Sequence, residues 1–212
     1  MTARSSSRRL SIAEGADEPA VEALRAEVEQ LRAANQELTL ALNEMEHAAQ
    51  RDVLTSLFNR RYFLTALHQR IARVARYKER VAILYVDVDG LKAINDRLGH
   101  VAGDRVLVVI ANCLRAETRE SDVVARIGGD EFALLIDHVD ASAARAKMAS
   151  LRRALSVADC VAEGEALVLS AAFGMAIIDP RDTAEDLLGR ADSDMYRAKR
   201  ADDDIAGRPP GG

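Results

Sequence analysis

Apolar positions recur along residues 21–49 at alternating steps of three and four: Val21, Leu24, Val28, Leu31, Leu38, Leu42, Met45 and Ala49, with Asn35 in the same series. A seam of this kind, sustained for about four heptads and flanked by Glu, Arg and Gln, predicts a long helix that pairs with a second one. Val and Leu alternate at the a and d positions, a combination that favours two parallel strands. Asn35 takes an a position. An amide there costs stability but fixes register, because it finds its partner only in an aligned pair. The expectation is a parallel dimeric coiled coil over 19–51, the alternative being a single surface helix packed on a domain. Residues 1–18, rich in Ser, Arg and acidic side chains, read as disordered.

The pattern changes at residue 52. Asp52-Val-Leu-Thr-Ser-Leu-Phe-Asn59 is a break carrying capping residues, and 60–77 suits the helix that follows. Val81 to Asp89 is an apolar, β-branched run closed by carboxylates, which predicts a buried strand. Residues 91–98 and 104–117 read as helices, with a Gly-rich turn over Gly99–Gly103 between them. Residues 122–136 contain two strand-like runs around Gly-Gly-Asp, a hairpin. A helix over 141–157, a strand over 166–178 and a helix over 183–200 complete the domain. The order β-α-β-β-α-β predicts an α+β fold with a ferredoxin-like core, its sheet mainly antiparallel and flanked by helices. That topology places Asp87 and Asp89 beside the hairpin tip. The tail, 201–212, reads as disordered.

Composition narrows the function classes. Apolar residues make up 49% of the 212, enough for a core, and the absence of Trp leaves Ala, Val, Leu and Ile to fill it. The net charge of −5 argues against binding a nucleic-acid polymer but not against a nucleotide. Cys113 and Cys160 each sit in apolar stretches and read as buried thiols of a reducing compartment. No apolar run approaches the roughly 20 residues of a membrane helix, and no apolar core follows the basic N-terminus as a secretory signal requires. The chain reads as soluble and cytoplasmic.

Chemistry concentrates at Gly128, Gly129, Asp130, Glu131 and Phe132. Two glycines in a tight turn permit positive φ and close approach to a ligand. Two carboxylates follow, on a strand whose expected neighbour ends in Asp87-Val-Asp89. Several carboxylates at one edge call for a cation, and few hard oxygen ligands with room for phosphate suit Mg²⁺ or Mn²⁺. A solvated acidic turn is the plain alternative.

These residues spell GGDEF, and the chain resembles the GGDEF family of diguanylate cyclases. The resemblance covers residues 52–200 through four further motifs in order. Asp52-x-Leu-Thr-x-Leu-x-Asn-Arg-Arg61 is similar to the family's opening motif. Asp87-x-Asp-x-x-Lys-x-x-Asn-Asp96, with Gly99-His100 and Gly103-Asp104, is similar to its nucleotide-binding segment. Ser170 to Ala176 resembles its central strand, and Tyr196-x-Ala-Lys199 the start of its closing motif.

The resemblance implies a homodimeric, nucleotidyl-cyclase-like enzyme that condenses two GTP into cyclic di-GMP. Asp87, Asp130 and the Val88 carbonyl would be metal ligands, and Glu131 a further ligand or the group that helps deprotonate the attacking 3′-hydroxyl. Asn95 and Asp104 would read guanine, whose N1–H and N2–H₂ a carboxylate accepts and adenine does not offer. Lys92 and Lys199 would meet the triphosphate, and Gly128 and Gly129 would let the chain lie against the nucleotide. Arg119-x-x-Asp122, ending just before the hairpin, resembles the product-inhibition site. A further Arg is expected from the helix after the hairpin, with Arg145, Arg152 and Arg153 as candidates.

Two protomers must oppose their sites to make a cyclic dinucleotide, and a parallel coiled coil supplies the required proximity. One stretch departs from the family pattern. After Lys199 the chain lacks the arginine expected to face the phosphates, with Asp203 near its place, and the terminal edge strand is missing. Two other readings stay open: a cyclic di-GMP receptor without turnover, and a scaffold whose coiled coil binds a partner.

Overall fold

The computed structural model describes residues 18–206, in two units that divide between Ala49 and Gln50. The disorder expected before residue 18 and after residue 206 lies outside the described residues. In the first unit, α1 (Glu18–Ala49) is one continuous helix. Its seam residues Val21, Leu24, Val28, Leu31, Leu38 and Met45 are exposed, an apolar stripe without a partner among the described residues. Among the described residues no helix is long and apolar enough to cross a membrane.

The second unit is built on a five-stranded sheet. Its strands are β1 (Phe58–Asn59), β2 (Val81–Val88), β3 (Val123–Arg126), β4 (Glu131–Asp137) and β7 (Ala171–Ile177), in the order β1-β3-β4-β2-β7. β2 runs antiparallel to both β4 and β7, and β3 antiparallel to β4, while the two-residue β1 joins β3 in parallel. The four long strands therefore have the ferredoxin-like arrangement.

β2 is apolar at almost every position because both of its faces are covered. Ala82, Leu84, Val86 and Val88 join a core with α4 (His100–Ala116) and α5 (Ala141–Ser156). Val81 and Ile83 join a second core with α2 (Arg60–Tyr77) and α6 (Ala184–Ala206). The alternation of a strand thus assigns Tyr85 and Asp87 to the α2/α6 face.

Four expectations need correction. No Gly-rich turn separates α3 (Leu91–Leu98) from α4: the helices meet at Gly99 alone, at φ 82°, and α4 begins at His100. Gly103 lies inside α4, where an added Cβ would stand 1.9 Å from Asn95 Oδ1, so it is there for helix–helix approach. The strand expected over 166–178 begins only at Ala171. A small hairpin, β5 (Val161–Ala162) and β6 (Glu165–Ala166), precedes it and turns at Glu163 and Gly164, both with positive φ. β7 is an edge strand, not a central one. Finally, α6 runs to Ala206, beyond the end of the helix expected over 183–200.

Candidate active site

The ends of β2 and β4 bring the sequence-predicted carboxylates together. Asp87 is the cross-strand partner of Glu131. The Val88 amide donates to the Asp130 carbonyl at 3.0 Å and the Asp89 amide to the Ser170 carbonyl at 3.1 Å, so the end of β2 is fixed on both sides. The Val88 side chain is buried in the core, which leaves only its backbone for the site.

Lys199 arrives from α6. Its Nζ donates to Asp87 Oδ1 at 2.9 Å and lies 3.6 Å from Asp89 Oδ1. The hydrogen bond to Asp87 and the two carboxylate charges hold its ammonium above the usual lysine value, against the effect of burial. Glu131 is held differently: Tyr85 Oη donates to its Oε1 at 2.8 Å. Burial first, and then the Glu131 bond, push the Tyr85 hydroxyl well above its ordinary value, so it stays protonated and serves as a donor. Sequence reading missed Tyr85, which sits inside an apolar strand and carries no motif.

The signature glycines work differently from expectation. Neither Gly128 nor Gly129 takes positive φ. A Cβ on Gly128 would stand 2.1 Å from Glu131 Oε2, so the missing side chain makes room for that carboxylate. The turn itself is braced by Arg126, also unforeseen. Its Nη2 and Nε donate to the Gly129 carbonyl at 2.7 and 3.3 Å, and its Nη1 to Asp52 Oδ1 at 3.3 Å. Asp52 in turn accepts from the Thr55 amide and hydroxyl at 2.9 and 2.7 Å.

Among the proposed nucleotide readers, Asn95 lies against Gly103, next in the chain to Asp104. Its buried Oδ1 has no hydrogen-bond partner among the described residues, a costly state for an amide unless something else completes it. Asp104 and Lys92 are exposed on α4 and α3.

The Arg119–Asp122 pair divides its tasks. Asp122 is buried, its carboxylate accepting from the Arg119 amide at 3.0 Å and the Asp137 amide at 3.4 Å. Arg119 lines a cavity of about 480 Å³ together with Arg51, Arg115 and Phe58. The Arg51 guanidinium lies 4.0 Å over the Phe58 ring. Burial and then the neighbouring Arg115 charge lower its proton affinity. The candidates Arg145, Arg152 and Arg153 on α5 are exposed and do not line this cavity.

Among the described residues no three His, Cys, Asp or Glu side chains form a metal-holding group. The donor set still fits Mg²⁺, which is held through one or two carboxylates plus substrate phosphates rather than by an all-protein cage. Asp87 and Glu131 on facing strands supply such carboxylates.

Residues 49–204 match the family described as diguanylate cyclase, GGDEF domain. The chain belongs to that family. The diguanylate cyclase TpbB of Pseudomonas aeruginosa is 41% identical over 167 residues, covering 74% of this chain and 36% of that protein. The chain thus spans about a third of the length of this curated relative. Among solved structures, the diguanylate cyclase SiaD of Pseudomonas aeruginosa in complex with its activator SiaC is 32% identical with a TM-score of 0.73, over 87% of this chain and 72% of that one. The coiled coil and GGDEF domain of DgcB from Caulobacter crescentus, in complex with c-di-GMP, is 25% identical with a TM-score of 0.77, over 84% of this chain and 95% of that one.

Proposed function

We propose that the chain is a diguanylate cyclase. Each of two bound GTP molecules loses pyrophosphate as the 3′-oxygen of the other attacks its α-phosphorus, giving cyclic di-GMP and two pyrophosphates. The observation that carries this reading is the cross-strand pairing of Asp87 with Glu131 at the GGDEF turn.

Asp87, Asp130, Glu131 and the Val88 carbonyl would hold Mg²⁺ or Mn²⁺, which when bound disperses charge on the phosphates. Lys199 balances the Asp87 and Asp89 charges before substrate arrives and offers its ammonium to the triphosphate afterwards. The unpartnered Asn95 amide and Asp104 select guanine, with Lys92 nearby on α3 as a further phosphate contact. Glu131 serves as a ligand or takes the proton of the attacking hydroxyl.

One domain binds one GTP, so turnover needs two chains. The exposed apolar seam of α1, interrupted by Asn35, supports a parallel homodimer formed through this helix. The product, cyclic di-GMP, also binds beside Arg119 and Asp122 and inhibits. The need for GTP as substrate supports a cytoplasmic enzyme.

The test is GTP turnover with Mg²⁺, following cyclic di-GMP by chromatography after removal of co-purified product, for the parent and for Asp130→Ala. Product from the parent and none from the variant is expected. Product from neither, with cyclic di-GMP still bound tightly, would replace this reading with the receptor, which the departure from the family's closing motif around Asp203 favours.

A further inference from the structure

We infer that Tyr85 is a positioning residue for Glu131: its hydroxyl fixes one carboxylate oxygen so that the group meets the metal and substrate in one orientation. The inference rests on the role proposed above for Glu131.

A glutamate at the start of a strand has freely turning side-chain bonds, and a carboxylate that must act at one point loses effectiveness if it wanders. Here two features confine it. Tyr85 precedes Asp87 by two residues, so both side chains leave the same face of β2. Asp87 faces Glu131 across the ladder, which makes Tyr85 the diagonal neighbour of Glu131, within reach of a long side chain. The hydroxyl closes that diagonal at 2.8 Å. On the other side, Oε2 occupies the space that a Cβ on Gly128 would need. The carboxylate therefore lies between a hydroxyl and a bare Cα.

Tyr85 is itself well anchored. Its cross-strand partner on β7 is Gly174, where α6 packs directly on the sheet. The ring lines a cavity of about 220 Å³ with Phe63, Leu188 and Ile127, the last at the start of the GGDEF turn. Ring packing alone would be served equally by Phe. Only the hydroxyl reaches Glu131, and one hydrogen bond leaves the carboxylate with lone pairs for a cation or a hydroxyl proton. Groups that orient metal-binding side chains in this way are typically worth about 10–100-fold in metal affinity or activity.

The experiment compares the full chain with Tyr85→Phe and Gly128→Ala. Mn²⁺ binding is read by electron paramagnetic resonance in the presence of the non-reacting α,β-methylene analogue of GTP, with thermal melting as the check on folding. Tyr85→Phe keeps the ring and its packing. It should melt like the parent, bind Mn²⁺ about 10–100-fold more weakly, and recover kcat as Mn²⁺ is raised. Gly128→Ala should weaken Mn²⁺ similarly by displacing Oε2. Parent-like Mn²⁺ affinity and kcat in Tyr85→Phe, with a parent that turns over GTP, would overturn the Tyr85 inference alone. A parent that binds neither Mn²⁺ nor the analogue would remove the cyclase reading, and this inference with it.

Discussion

Arg126 Nη1 stands 3.3 Å from Asp52 Oδ1, and the same guanidinium grips the Gly129 carbonyl at 2.7 Å. One side chain thereby ties the first loop of the domain to the GGDEF turn. Both partners are largely buried, with side-chain exposures of 15% and 21%. A lysine at 126 could not reproduce this fork, because an ammonium lacks the planar set of donors. Arg126→Lys is therefore expected to lower stability by about 1.5–3 kcal/mol, in the range for hydrogen bonds to charged groups. Urea denaturation would check it. Unaltered stability in Arg126→Lys would mean that the bridge contributes nothing.

The same contact has a pH signature. Burial raises the proton affinity of Asp52, but the Thr55 hydrogen bonds and the Arg126 charge outweigh it and leave the carboxyl below its usual value. A folded-state pKa below the unfolded value of about 3.9 stabilises the fold above that pH. The contribution disappears as pH falls through the folded value. Asp52→Asn should then be less stable at neutral pH and lose less melting temperature than the parent on acidification below about pH 4. Equal acid slopes for the two proteins would remove Asp52 from the pH response.

Much of this arrangement was legible in the chain, and what was missed has a common cause. The VAILYVDV run announced a strand covered on both faces, and the GGDEF turn beside it followed from strand order alone. Local pattern could not show contacts between distant segments. Tyr85 looks like one more apolar strand residue until its diagonal neighbour is known. Arg51 and Arg115 share a cavity with Arg119 only because the first loop folds back beside the end of α4. The glycines misled for a related reason. Gly128 suggested backbone freedom, yet what the fold uses is the space left by its missing Cβ.

Gly174 makes the same point with a larger consequence. A Cβ there would stand 2.1 Å from the Ala191 carbonyl oxygen and 2.3 Å from the Met195 amide nitrogen, both backbone atoms of α6. A helix backbone cannot rotate out of the way, so Gly174→Ala must push α6 off β7. Overpacking of this kind costs about 1–3 kcal/mol. Lys199 rides on the same helix and would lose its hold on Asp87. Both lower stability in urea and a raised KM for GTP are expected. A variant as stable as the parent would show that α6 is not seated against Gly174.

The cavity beside Arg119 gives the last prediction, on feedback. Asp122 accepts from two backbone amides, and the phosphates of an anionic ligand in this cavity would fall to the arginines. Arg51, Arg115 and Arg119 line one space, and burial first, then repulsion from Arg115, lower the proton affinity of Arg51. A dinucleotide carrying two phosphates would relieve that repulsion, and charge-assisted hydrogen bonds to phosphate are the strong ones. Loss of one such bond, about 1.5–3 kcal/mol, corresponds to roughly 10–100-fold in affinity. Arg119→Ala and Arg51→Ala should each weaken cyclic di-GMP binding by that order, measured by titration calorimetry, and raise the product concentration that halves turnover. Arg145→Ala, on the exposed face of α5, should leave both unchanged. The reverse pattern, with Arg145→Ala damaging and Arg51→Ala silent, would move the inhibitory contact from the first loop to α5.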